Sequence, residues 1–378
     1  MPTFIDSYFR KRGVKGPWAL SPFPSQQFQN IVIIPAYAEL EYIGQTLDSL
    51  SLCEVDSFNN TMVIVVVNNE VGAPPNIIDN NQQTISNLNK RKDPFYLALI
   101  DASTNGMGIP KKHAGVGMAR KIGMDLALKF AHPQSLLFCL DADSLVSPTY
   151  FREIQFHFNS MHSVAAVVGF SHIKNENPDL EKAIRKYELF LRNTAMKLKN
   201  SGSPFGYVSM GSTIICRAEA YVSIGGMPRR KATEDFYFLQ EFAKFRSVDE
   251  IKSILVYPSS RESERVYLGT GFRMSQAQKG EDLEELAYPD EAFEILKEWL
   301  TIASFGYKED INNIMTKVQK LSSVLQEYLL EENINEIWDP LRESSPTEAH
   351  FQKQFHRWFD GLKTHRLLNR FLTISSML

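Results

Sequence analysis

Two aspartates follow directly on an apolar run near the middle of the 378-residue chain. Asp141 and Asp143 come after residues 136–140, which have the length and composition of a buried strand. Carboxylates at positions i and i+2 of a strand end can bind one hard divalent cation, Mg²⁺ or Mn²⁺, directly or through water. That cation would bind a diphosphate and offset the charge of a leaving diphosphate. By itself the pattern is equally typical of a capped turn or a solvated loop.

A second pair of acids stands at the start of a predicted helix. Glu234 and Asp235 follow Thr233, a natural N-cap, and apolar residues at helical spacing come after them. A carboxylate in this position could remove the proton of an attacking hydroxyl. The helix dipole also favours acids in a first turn, so this pair has a purely structural explanation too.

A basic segment follows later in the chain. Arg261, Arg265 and Arg273 flank the Gly-Thr-Gly sequence of residues 269–271. Arginines can clamp a diphosphate with paired hydrogen bonds, and the glycines would serve as a hinge, so residues 259–280 are predicted to order over a bound diphosphate ligand. A solvated face with glycine turns is the alternative.

The elements that position these residues alternate between short apolar runs and segments of helical period. Strands are predicted at residues 31–34, 62–67, 95–100, 136–140 and 164–170. Helices are predicted at residues 39–50, 117–130, 148–162 and 180–199. This alternation predicts an α/β fold with a mostly parallel central sheet flanked by helices, whose carboxyl edge binds ligands.

The chain is predicted to divide into four parts. An N-terminal arm at 1–28 precedes a ligand-binding and catalytic α/β domain at 29–258. An active-site loop at 259–288 is followed by a C-terminal helical region at 289–378, where strand signals are almost absent.

Composition excludes several classes of protein. The net charge of −3 argues against a nucleic-acid partner. Two short basic clusters, Lys111-Lys112 and residues 229–231, are interpreted as local anion-binding sites. The three cysteines are too few and too widely spaced for a disulfide framework or a zinc site, which predicts a reducing compartment.

No apolar run reaches the ~18 residues that a membrane-spanning helix needs, and a signal core is absent. We therefore expect a cytoplasmic protein without a transmembrane segment. Residues 367–378 carry leucines and a phenylalanine beside Arg366 and Arg370. They are expected to pack on their own domain, with peripheral membrane contact through the C-terminus as the alternative.

Taken in order, these motifs resemble family 2 glycosyltransferases of the A-type fold over about residues 29–275. In that family a second strand is usually followed by an Asp-Asp pair that contacts the base, whereas this chain has Asn68-Asn69. The resemblance implies donor-binding roles for Pro35, Ala36, Tyr37, Glu39, Asn68, Asn69, Arg120, Asp141, Ala142, Asp143, Arg261, Arg265 and Arg273. It implies acceptor-binding roles for Gly211, Gly226 and Glu234. It makes Asp143 the chief metal ligand with Asp141 beside it, and Asp235, assisted by Glu234, the catalytic base.

The resemblance implies transfer of a sugar from a nucleotide-diphosphate donor to a hydroxyl acceptor, which would be a saccharide, a lipid-linked group or a small molecule. An inverting single displacement with Mn²⁺ or Mg²⁺ is expected, and a retaining transfer on the same fold is the alternative. A phosphatase with Asp141 as nucleophile and Asp143 as acid/base is a third possibility, because such enzymes also place D-x-D after an apolar strand. Against it, the motif follows the fourth predicted strand rather than the first. A non-catalytic sugar-nucleotide module is disfavoured, because the carboxylates are intact at both sites.

Overall fold

The computed structural model describes residues 3–54, 58–263, 265, 269–281 and 283–375. Two compact units make up the chain. The first unit consists of Met1–Ile184 and Ser209–Glu281, and the second of Arg185–Val208 and Asp282–Leu378. Every candidate site residue belongs to the first unit.

The first unit is built on one sheet. In the described part of the chain its strands are β1 (Leu20–Ser21), β2 (Phe28–Ala36), β3 (Thr61–Asn68), β4 (Tyr96–Ala102), β5 (Ala131–Cys139), β6 (Leu145–Val146), β7 (Ala165–Phe170), β8 (Ile214–Arg217) and β9 (Asp249–Tyr257). Their order across the sheet is β1-β4-β3-β2-β5-β8-β7-β9-β6. All of β3 is buried, as expected for a central strand covered on both faces.

The sheet is mixed, so the prediction of a mostly parallel sheet is wrong in this respect. Strands β2 to β5 pair in parallel with one another, as do β7 and β9. Strand β8 lies antiparallel between β5 and β7, and the two-residue strands β1 and β6 pair antiparallel at the edges. The sequence did not predict β8 because the strand is only four residues long, too short for a periodicity to be recognised.

Helices precede, connect and follow the strands of the first unit along the chain. They are α1 (Thr3–Lys11), α2 (Ile43–Ser51), α3 (Pro75–Leu88), α4 (Val116–Ala127), α5 (Tyr150–Met161), α6 (Pro178–Asn200), α7 (Ala218–Ser223), α8 (Glu234–Phe245) and α9 (Thr270–Gln278), of which α6 continues into the second unit. Helix α4 lies close to β2, since a Cβ at Gly123 would come within 2.6 Å of Ile33 Cγ2. This close approach fixes the position of the residues at the start of α4.

Two helices begin later than the sequence predicts. Ala38 has a φ of 54°, and Tyr42 N bonds Glu39 O at 3.1 Å in a turn, so α2 begins at Ile43 and Glu39 lies outside the helix. Helix α5 begins after Thr149, whose N–H donates to Ser147 Oγ at 3.3 Å. Ser147 therefore caps the turn that precedes the helix.

The second unit is helical throughout its C-terminal part. After α6 its described helices are α10 (Asp290–Phe305), α11 (Ile311–Leu321), α12 (Ser323–Glu331), α13 (Ile334–Glu343), α14 (Glu348–Trp358) and α15 (Gly361–Ser375). Trp299 and Trp338 are fully buried in its core, together with Leu367, Leu368 and Phe371 of the C-terminal segment. The last residue of that segment, Leu378, lies outside the described residues. Within the described ranges, no helix is long and apolar enough to cross a membrane.

Candidate active site

The candidate site forms where parallel strands end. Strands β2 and β5 are neighbours, and Leu140 N still bonds Ile33 O at 3.1 Å as the chain leaves β5. The turn after β2, which carries Glu39, therefore meets Asp141 and Asp143 at the same edge. This is the edge at which open α/β sheets bind ligands.

Arg120 on α4 joins two of the acidic segments. The Arg120 residue is 2% exposed, and its guanidinium forms ion pairs with Asp141 Oδ1 and Glu234 Oε1. Burial acts against the charged form, but these carboxylates raise the pKa of Arg120. A Cβ at Gly211 would lie 2.6 Å from Arg120 Nη1, so glycine leaves room for the guanidinium. The Arg120 Nε is buried without a hydrogen-bond partner.

Arg261 joins the other two acidic segments. Its Nε donates to Asp143 Oδ2 at 2.7 Å, and its Nη2 donates to the Glu39 oxygens at 2.6 and 2.7 Å. The guanidinium also lies over the ring of Tyr42, 4.3 Å from its centroid. Arg265 Nη1 donates to the same Glu39 at 2.6 Å. These contacts hold two arginines of the predicted active-site loop against the carboxylates of the sheet edge.

Several of the acids hold their protons more tightly than usual. Burial raises the pKa of Asp143 to about 6, although the charge of Arg261 acts in the opposite direction. Burial also raises the pKa of Glu234 and of Asp235, and Arg120 opposes both shifts. Carboxyl groups with raised pKa values are suited to accept a proton near neutral pH.

The Asp141 and Asp143 carboxylates fit a divalent cation that is shared with a ligand. In the described part of the chain, no group of three or more His, Cys, Asp or Glu side chains is placed to hold a metal ion. Mg²⁺ is, however, usually held by one or two carboxylates together with substrate phosphates and water. The Asp141 and Asp143 side chains are 36% and 18% exposed, so a cation can reach both of them from solvent.

The Asn68-Asn69 pair is turned into the protein. Asn68 Nδ2 donates to Ala36 O at 3.1 Å, and Asn69 Nδ2 donates to Glu70 O at 2.9 Å. Asn81 on α3 connects them, because its Nδ2 donates to Asn68 O and to Asn69 Oδ1. In this structure the amide donors of both side chains are therefore engaged by the backbone.

The remaining donor-site candidates differ in their surroundings. Ala36 and Ala142 are buried, and Ala142 O accepts from Thr46 Oγ1 at 2.8 Å. Pro35 lies within β2. The Tyr37 ring lies 5.3 Å from the Arg265 guanidinium. Tyr37 therefore lies beside Arg265, on the Glu39 side of the site. Pro35, Ala36 and Ala142 can offer a ligand only their backbone groups.

Two candidates stand apart from the carboxylates. Arg273 lies on α9 with its guanidinium over Phe272, 5.8 Å from the ring centroid, and forms no ion pair with a described residue. Gly226 has a φ of 79°, and a Cβ there would lie 2.9 Å from Tyr8 Cζ. The positive φ and the close approach of Tyr8 therefore explain why residue 226 is a glycine.

Other residues of this region were missed by the sequence analysis. Tyr42 supports Arg261, and no sequence pattern indicated it. A buried polar cluster was missed as well. In it, Tyr8 Oη donates to Asp125 Oδ1 at 2.6 Å, and Lys121 Nζ donates to Tyr8 Oη at 2.7 Å. It ties α1 to α4, one residue after Arg120. The i, i+4 spacing of Lys121 and Asp125 was a usable signal.

The chain resembles several solved structures at low sequence identity. No model of a known protein family matches it, and no curated protein matches it in sequence. It is similar to S. aureus TarS 1–349 in complex with UDP-GlcNAc, with 16% identity and a TM-score of 0.47 over 87% of this chain and 90% of that chain. It is similar to the mannosyltransferase PcManGT from Pyrobaculum calidifontis in complex with GDP-Man and Mn²⁺, with 14% identity and a TM-score of 0.41 over 95% of each chain. At this level of similarity, the chain's own residues must carry any functional assignment.

Proposed function

We propose that the protein is a metal-dependent glycosyltransferase of the A-type fold and of family 2, which transfers a sugar from a nucleotide-diphosphate donor to an acceptor hydroxyl. The observation that carries this proposal is the pair of arginine bridges at the sheet edge. Arg120 joins Asp141 to Glu234, and Arg261 joins Asp143 to Glu39. One ligand-binding edge thus combines carboxylates that would bind a cation, arginines that would bind phosphates and further carboxylates that would act on a hydroxyl.

The donor would bind on the Asp143 side. Asp143, with Asp141 beside it, would hold Mn²⁺ or Mg²⁺, which supplies positive charge to the departing nucleotide diphosphate. Arg261 and Arg265 contact Glu39 and would exchange that carboxylate for donor phosphates. Guanidinium groups bind phosphate oxygens in paired hydrogen bonds. This side of the site therefore stabilises the charge that develops on the leaving group.

The acceptor would bind on the α8 side. Asp235 is proposed as the base that removes the proton of the acceptor hydroxyl while the hydroxyl attacks the anomeric carbon in a single inverting displacement. Its raised pKa supports this role. Glu234 is held by Arg120 and would orient the acceptor. Because the displacement is direct, it needs no covalent enzyme intermediate.

The proposal extends to the cellular setting expected from composition. We propose that the enzyme acts in the cytoplasm, without a nucleic-acid partner. Burial of Leu367, Leu368 and Phe371 in the helical core supports internal packing of the C-terminal segment over a membrane-binding role, because those side chains are removed from the surface.

A thermal-shift screen tests this function. UDP-, GDP- and other nucleotide-diphosphate sugars are added to the wild type with Mn²⁺ or with EDTA, because a ligand that binds the native state raises its apparent stability. We expect at least one donor to raise the Tm with Mn²⁺ and to lose most of this effect in EDTA. Asp143→Ala should abolish the metal-dependent shift, and the exposed Asp6→Ala should keep it. An equal shift in Asp143→Ala would remove Asp143 as metal ligand.

A further inference from the structure

Two basic segments that are far apart in sequence lie side by side in the first unit. A Cβ at Gly115 would come within 2.6 Å of Lys231 Cα, and one at Gly117 within 2.5 Å of Arg230 O. The loop that carries residues 229–231 therefore rests on the start of α4, just after Lys111-Lys112. We call Lys111, Lys112, Arg229, Arg230 and Lys231 the basic rim.

The charge of the basic rim is left uncompensated. All five side chains are exposed, and none forms an ion pair with a described residue. This differs from Arg120, Arg261 and Arg265, which each contact a carboxylate. One rim guanidinium is also held in place, since Arg230 lies over the ring of Tyr237 at 3.5 Å from its centroid. A cluster of like charges without partners is unfavourable for the free protein and is typical of a surface that binds anions.

The basic rim adjoins the acceptor side of the site. Lys231 is three residues before Glu234, and a Cβ at Gly117 would lie 2.8 Å from Glu234 Cβ. The rim loop thus leads directly into the carboxylates that are proposed to orient and deprotonate the acceptor. The proposed donor phosphates are served by a different set of arginines, Arg261 and Arg265.

From this arrangement we infer that the acceptor is a soluble saccharide chain that carries anionic groups such as phosphates, and that the basic rim binds those groups while Asp235 meets the reacting hydroxyl. The inference rests on the proposed function. A membrane surface is disfavoured as the partner, because the exposed large apolar side chains of the described residues lie outside residues 111–117 and 228–233. Cations alone attach to a membrane only weakly and in a salt-sensitive way, whereas stable attachment needs apolar anchors as well.

Fluorescence anisotropy with a labelled polyphosphate chain of about ten phosphates tests the inference. The rim variant is Arg229→Ala/Arg230→Ala/Lys231→Ala, and Lys111→Ala/Lys112→Ala is a second variant in the other segment. The matched control is Lys90→Ala/Lys92→Ala/Lys129→Ala. It removes three exposed charges near the residues at which β4 and β5 begin, whereas the candidate site lies where the strands end. We expect the Kd of the probe to rise about tenfold in the rim variant, less in the second variant and about twofold or less in the control.

Three results would overturn the inference. They are an equal loss of affinity in the control, displacement of the probe by nucleoside diphosphate with Mn²⁺, and rim-dependent binding to vesicles of phosphatidylglycerol but not to polyphosphate. The Mn²⁺-dependent Tm shift with sugar nucleotides is measured on the same variants. If the Mn²⁺-dependent Tm shift is observed but the probe does not bind through the basic rim, the acceptor inference fails and the proposed function stands. If that shift is absent from the wild type, the function itself fails.

Discussion

Arg261 Nε donates a hydrogen bond to Asp143 Oδ2 at 2.7 Å. The guanidinium thus neutralises the carboxylate that is proposed to hold a divalent cation, while also contacting Glu39. Two cations that bind one carboxylate repel each other, so Arg261 and the metal should compete for Asp143 in the free enzyme. Donor phosphates would relieve this competition, because they offer Arg261 another anion.

Replacing Arg261 should therefore have opposite effects on metal and donor. In Arg261→Ala we expect Mn²⁺ alone to bind more tightly than in the wild type, because its competitor is gone. The affinity for nucleoside diphosphate with Mn²⁺ should fall about tenfold, the scale of one lost charge-assisted contact. Titration calorimetry measures both, with Arg152→Ala as the control, since Arg152 is exposed and pairs with Glu54, which is not a candidate site residue. Unchanged affinities in Arg261→Ala would show that its contact with Asp143 is incidental.

The two acids at the start of α8 should separate kinetically. Asp235→Asn should lower kcat by ~10² or more with donor affinity kept, as expected for loss of a general base. Glu234→Gln should cost less in kcat and more in KM for the acceptor, because Glu234 is held by Arg120. Steady-state kinetics with both substrates decides between them. Near-normal turnover in Asp235→Asn would exclude it as base and favour a retaining transfer.

The Arg120 bridge should stabilise the first unit. Arg120→Ala leaves Glu234 buried and without its cation, and breaking a buried ion pair costs about 3–5 kcal/mol in the free energy of unfolding. The exposed pair of Arg152 with Glu54, whose side chains are 59% and 55% exposed, is the control, and Arg152→Ala should cost less than about 1 kcal/mol. Urea unfolding measures both variants, and equal losses would contradict the buried bridge.

The helical unit should lose stability in mild acid. Burial lowers the pKa of His356 and of His365 from 6.5 to about 4. The folded state thus binds these protons more weakly than the unfolded chain, so the stability they contribute is complete above pH 6.5 and is lost as the pH falls towards 4. The free energy of unfolding should decrease across this window, and His356→Leu/His365→Leu should flatten the decrease. His132→Ala, at an exposed position, should leave the profile as in the wild type.

The sequence predicted the parts of the fold that repeat a strong period. The apolar runs that became β2, β3, β4, β5 and β7 were all found, because buried strands carry nearly continuous apolar runs. Strand β8 and the turn at Glu39 were missed, since a four-residue strand and a residue with positive φ, such as Ala38, leave no periodic trace. Motifs supplied the acids and arginines of the site. Their pairing could not be predicted, because Arg120 reaches Glu234 across 114 positions, and only tertiary packing determines such contacts.

The central claim is that the protein transfers sugar from a nucleotide-diphosphate donor, and release of nucleoside diphosphate tests it most directly. The wild type and Asp143→Ala are incubated with each member of a sugar-nucleotide panel and with a set of saccharide, lipid-linked and small-molecule acceptors, with and without phosphate groups, in Mn²⁺ or in EDTA. The account predicts release that requires Mn²⁺ and the acceptor, and that falls to background in Asp143→Ala. Release from no sugar nucleotide, or release that is equal in EDTA and in Asp143→Ala, would contradict it.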